Sequence, residues 1–222
     1  MTKQKQHQNL SQSRDGGYTI IESLVAMIVV SVLMIAIAPV MAFSVATRVQ
    51  ARRTELATQA AKAYIDGLRS GSIKFNDPTI KGFPAKFAAF TATNPEDLAN
   101  APVPGNKDNL YCVDMDGTGV CETSSTKDFY VQGAWGNPDP SITGDDPTLK
   151  GYQLLVRVYR ADSFAGVTLN QTPQTAKKQS VVGSGLGDRT MPVVEMTTQI
   201  PPTTEGVPSA YRSLCDRTNG CK

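Results

Sequence analysis

The sequence has almost no histidine: one residue among 222, His7, in a polar stretch at the N-terminus. A chain that loses that stretch has no imidazole for a Ser-His-Asp or Cys-His catalytic arrangement, and none for a histidine-containing zinc site. Excess charge is also scarce. There are 22 Lys+Arg against 20 Asp+Glu, a net of +2, which excludes a strongly basic nucleic-acid binder. Aromatic residues make up 7% of the chain and include a single tryptophan, Trp135. The length suits one ordinary domain and not two.

What the chain does have is one long apolar run. Ser23–Thr47 contains 25 residues without a charged side chain, and almost all are apolar. At about 1.5 Å per helical residue the run exceeds the roughly 30 Å of a bilayer's hydrocarbon core. The remainder is polar and rich in Thr, Ser, Gly and Pro, as a soluble domain would be.

Three readings of the N-terminus compete. A secretory signal would use Lys3, Lys5 and Arg14 as its basic region and a small-residue site near Ala42 or Ala46. Its apolar core would then be longer than the usual 7–15 residues, with Glu22 at its start. A plain single-pass anchor accounts for the length but not for the glutamate. The third reading rests on Gly16-Gly17-Tyr18-Thr19-Ile20-Ile21-Glu22-Ser23: a short basic leader ends in glycine, an aromatic residue follows, and a lone glutamate heads the apolar run.

This junction resembles the type IV pilin and pseudopilin family, whose prepilin peptidase recognises glycine, a large apolar residue and then T-L/I-I/L-E. The resemblance implies cleavage after Gly17 and N-methylation of Tyr18, which stands where phenylalanine is commoner. It puts Glu22 at the fifth mature position, pairing with the α-amino group of a neighbouring subunit. Pro39 falls at the twenty-second, where many members loosen the helix with proline. A carboxylate at a bilayer's edge usually has a partner, although Glu22 snorkelling alone into the headgroups is the simpler alternative. Proline would disturb any membrane helix. The leader 1–17 holds Lys3, Lys5, Arg14 and Asp15, so its loss leaves 19 basic and 19 acidic residues.

Beyond Thr47 no helix breaker intervenes. Val45, Val49, Leu56, Ala60, Tyr64 and Leu68 form an amphipathic stripe, and Ser70-Gly71 should stop the helix. One helix is expected from about Thr19 to Ser70, with membrane and amphipathic halves at 18–47 and 48–71. A β-rich head then occupies 72–222. In the head, a connection with one short helix around Ala85–Phe90 leads to candidate strands Leu110–Val113, Phe129–Ala134, Tyr152–Tyr159 and Val193–Ile200. The expected class is α+β, a pilin-like helix packed on a small antiparallel sheet.

The cysteines are Cys112, Cys121, Cys215 and Cys221. Four allow three connectivities; close spacing favours the local pairs Cys112–Cys121 and Cys215–Cys221, and neither spacing is usual for zinc. An even count beyond a membrane segment fits an oxidising compartment. Asp114 and Asp116, in Asp-Met-Asp-Gly, open like a calcium loop but lack the distal ligands of the full pattern. An Asp-Gly turn explains them first. Gly183–Gly187 lacks the ending of a phosphate loop and reads as a hairpin. Trp135 reads as core before it reads as a sugar-stacking platform. No cofactor motif is present.

The stretch Ser44–Arg53 with Tyr64-Ile65-Asp66-Gly67 is similar to pseudopilins of hormogonium polysaccharide secretion in filamentous cyanobacteria. The family resemblance implies a non-enzymatic inner-membrane subunit with a periplasmic head, partnered by other pilins or pseudopilins, the prepilin peptidase and an assembly platform. No nucleic-acid partner is implied. The alternatives are a membrane-anchored carbohydrate- or calcium-binding module and, less favoured, a secreted enzyme.

Overall fold

The computed structural model describes residues 17, 19–75, 81–87, 95–136, 147–149, 151–169 and 188–202. The hairpin reading of Gly183–Gly187, the residues Tyr18, Cys215 and Cys221, and most of the leader lie outside them. The chain divides into two units, Met1–Val45 and Ala46–Lys222.

Helix α1 runs from Ile20 to Arg69. Thr19 begins it: Glu22 N–H donates to the Thr19 hydroxyl (3.3 Å) and to the Thr19 carbonyl (3.0 Å). Thr-x-x-Glu is the spacing of a capping box, in which a threonine oxygen satisfies a donor of the first turn. Pro39 lies within α1, where its ring leaves the Ile35 carbonyl without its helical donor. At the other end, Ser70 N–H donates to the Asp66 carbonyl, and Gly71 takes φ +71°, a conformation other residues rarely adopt.

In the second unit a five-stranded sheet comprises β1 (Ala85–Lys86), β2 (Tyr111–Val113), β3 (Phe129–Gly136), β4 (Tyr152–Arg160) and β5 (Val194–Ile200). Three of its pairings are antiparallel: β2 with β3, β3 with β4, and β4 with β5. β1 and β2 share one edge of β3, and β1 pairs with it in parallel, Ala85 opposite Ala134. The four anticipated strands are present with ends shifted by two residues or fewer.

The short helix expected around Ala85–Phe90 is corrected, because Ala85–Lys86 are strand. Sheet pairing satisfies this backbone, and Phe87 N–H donates to the Trp135 carbonyl (2.9 Å). Phe83-Pro84 immediately upstream also favours an extended chain over a helical one.

The buried part of α1 begins at Gln50 and follows Ala57, Ala60, Ala61, Tyr64, Ile65 and Leu68. The anticipated stripe advanced in steps of four with one of seven, from Val49 to Leu56. A helix turns every 3.6 residues, so the buried face alternates threes and fours. Leu56 therefore lies at its margin, and Val45 and Val49 are exposed. These small and aromatic side chains pack on Phe129, Val131, Trp135, Leu154, Val156 and Ile200, from the side of the sheet that faces α1.

The opposite side of the sheet carries Ala134, Leu155, Arg157 and Tyr159. It is covered by a 3-10 turn at Pro95–Asn100 and by the chain through Val103. Arg157, 1% exposed, holds that cover down. Its guanidinium donates to Glu195 (2.7 Å) and to the carbonyls of Ala101 (2.7 Å) and Ala99 (2.6 Å).

Candidate assembly site

Gly17, Thr19 and Glu22 mark the start of α1. From Ile20 to Val45 its large apolar side chains are between 51% and 88% exposed. Such a surface is far larger than the isolated apolar contacts ordinary on soluble proteins, and it requires a non-aqueous surrounding. Length and composition suffice to cross a membrane. Glu22 lies in the first helical turn, where the helix dipole favours a negative charge. Thr19 was missed by the sequence reading. The Thr-x-x-Glu signal was available, overshadowed by the processing motif that uses the same residues.

The head contains a second cluster. The Cys112–Cys121 disulfide closes one side of the connection between β2 and β3. Within it, oxygens of Asp114, Asp116 and Asp128 all lie within 4.8 Å of one another. Asp128 joins from fourteen residues beyond Asp114 and twelve beyond Asp116, which spacing alone did not reveal. Each carboxylate has donors. Asp114 accepts from the amides of Asp116 (2.9 Å), Gly117 (2.8 Å) and Gly119 (2.5 Å). Asp116 accepts from the Ser125 hydroxyl (2.7 Å), and Asp128 from the Glu122 amide (3.0 Å).

The loop is thus wound on its own carboxylates. Gly117 (φ +81°) and Gly119 (φ +85°) supply the left-handed positions that bring their amides inward. An Asp-Gly hairpin turn was expected; the turn instead sits inside a longer connection over residues 114–128, because Val113, the last residue of β2, pairs with Phe129, the first of β3.

The amides of Gly119 and then Gly117 hold the Asp114 carboxyl below its ordinary value of 3.8. A depressed folded-state value stabilises the loop above pH 3.8, and that contribution is lost as pH falls below 3.8 through the folded value. Asp114→Asn is expected to flatten the acid limb of a stability–pH profile below pH 4. An unchanged limb in thermal unfolding would contradict the assignment.

Trp135 is 3% exposed and packs against Tyr152 with ring centroids 5.9 Å apart, beneath the Lys86 ammonium. It is core, and its buried ring offers no face for sugar stacking.

An apolar helix exposed to its surroundings, followed in the chain by an α+β head, fits a membrane-anchored, pilin-like arrangement. Residues 12–38 match the family model described as the prokaryotic N-terminal methylation motif. That match supports a type IV pilin-like protein, and it covers the junction and apolar run alone. No curated protein and no solved structure matches the chain.

Proposed function

We propose that the protein is a minor pseudopilin or pilin-like subunit of a type IV pilus- or type II secretion-like filament. Peptidase removes residues 1–17, Tyr18 becomes the methylated N-terminus, and Glu22 pairs with the α-amino group of an adjacent subunit. Neutralising two charges at once favours bundling of helices in an apolar medium. Pro39 loosens the helix where it bends into the filament. The head projects into the periplasm from the inner membrane, and the filament supports polysaccharide secretion or pilus assembly and motility. The role is mechanical rather than enzymatic.

The observation that carries this reading is the register of Gly17, Thr19 and Glu22 at the head of an exposed apolar helix. The test is intact mass plus N-terminal sequencing of membrane-extracted protein, with and without prepilin peptidase. A peptidase-dependent start at methylated Tyr18 is expected. A start near Phe43 or Thr47 would mean release by signal peptidase and would end the filament proposal.

A further inference from the structure

After 25 uncharged residues, α1 carries its first positive charges at Arg48, Arg52 and Arg53. The three differ. Arg53 is half-buried, close enough to Arg160 and Asp162 for both to act on it electrostatically, and so belongs to the head. Arg48 and Arg52 are exposed and stand one helical turn apart, on the same side of α1. Like charges at that spacing repel. The other helical neighbours of Arg48 are Ser44, Val45 and Ala51, and Arg52 has a carboxylate only at Glu55, three residues on. Among the described residues, neither guanidinium takes part in an ion pair.

We infer that Arg48 and Arg52 together bind the phosphate of an anionic phospholipid, at the membrane face remote from Glu22. The inference rests on the reading of Ser23–Thr47 as the membrane-spanning run. Arg48 follows Glu22 by 26 residues, about 39 Å of helix at 1.5 Å each. The hydrocarbon core is about 30 Å thick and the bilayer with its headgroups about 40–45 Å, so both charges reach headgroup layers simultaneously. A guanidinium's forked donors match phosphate oxygens, and an anion between Arg48 and Arg52 relieves their repulsion. The occupant is lipid, because a phosphate layer meets this depth wherever the run spans, whereas a neighbouring chain's carboxylate would have to be brought to it. Withdrawal of the helix from the membrane must break this contact, which therefore retains subunits that have not yet assembled.

The test uses the full chain in nanodiscs of equimolar phosphatidylglycerol and phosphatidylcholine, with the lipids retained on release counted by native mass spectrometry. Two surface arginines predict up to about 30-fold preference for phosphatidylglycerol. Arg48→Gln with Arg52→Gln should bring the ratio near one, and Lys62→Gln, exposed further along α1, should leave it unchanged. Raising the salt concentration should weaken the wild-type preference. No preference in the wild type, or one that survives the double substitution, would overturn the inference. So would altered cross-linking between copies at unchanged lipid preference, since the pair would then face a second chain. Cleavage after Gly17 is read from the mass of the same sample, so failure of processing and failure of lipid binding are told apart.

Discussion

Replacing Arg157 with leucine is expected to destabilise the head by about 3–5 kcal/mol. The guanidinium is buried, and it connects β4 to Glu195 on β5 and to the carbonyls of Ala99 and Ala101 in the covering segment. Leucine supplies apolar volume but no donor, leaving both carbonyls unsatisfied at about 1–3 kcal/mol each where water does not reach them. The Glu195 carboxylate is 24% exposed and recovers part of its hydration, which keeps the expected loss within that range. Arg157→Lys should rescue little, because an ammonium cannot reproduce the planar fork. The measurement is thermal or urea unfolding of the full chain in nanodiscs, followed by the fluorescence of Trp135, the single tryptophan. A loss below about 1 kcal/mol would mean that the cover does not depend on this anchor.

Gly133→Ala should cost about 2–4 kcal/mol by the same measurement. A β-carbon at Gly133 would stand 2.2 Å from the Tyr64 hydroxyl and 3.0 Å from Pro84. The hydroxyl cannot simply swing away, since it donates to the buried Gly82 carbonyl at 2.7 Å. Either α1 lifts from the sheet or that bond breaks. Burial raises the Tyr64 pKa well above its ordinary 10.0, so the hydroxyl remains a donor at any working pH. Tyr64→Phe removes the clashing atom. In the double variant the alanine should therefore cost about 1–2 kcal/mol less than it does alone. Strict additivity would show that the contact between helix and sheet is not at this glycine.

Both predictions concern residues that had no special place in the sequence. Tyr64 was visible as one position of an apolar stripe, but its partners Gly82 and Gly133 carry no period. Arg157 sits in YQLLVRVY, where alternation would send it to solvent. It is buried instead because the segment around Ala99 and Ala101, 58 and 56 residues earlier, folds over that side of the sheet. The acidic loop was half legible: Asp114, Asp116 and the glycines read as a turn, whereas Asp128 entered only through the pairing of β2 with β3.

The sequence by itself determined the features encoded in short, fixed spacings. These are the N-terminal methylation motif over residues 12–38, the apolar run, the one long helix, the four longer strand segments and the local pair Cys112–Cys121. Each depends on neighbours within a few residues or on a repeating period, so no partner need be known. The tertiary structure alone decided the parallel placement of β1, the burial of Arg157, the convergence of Asp128 on Asp114, and the division between Arg53 and the exposed pair Arg48 and Arg52. Those outcomes depend on which distant backbone and side-chain groups satisfy one another, a condition met only when the chain closes on itself.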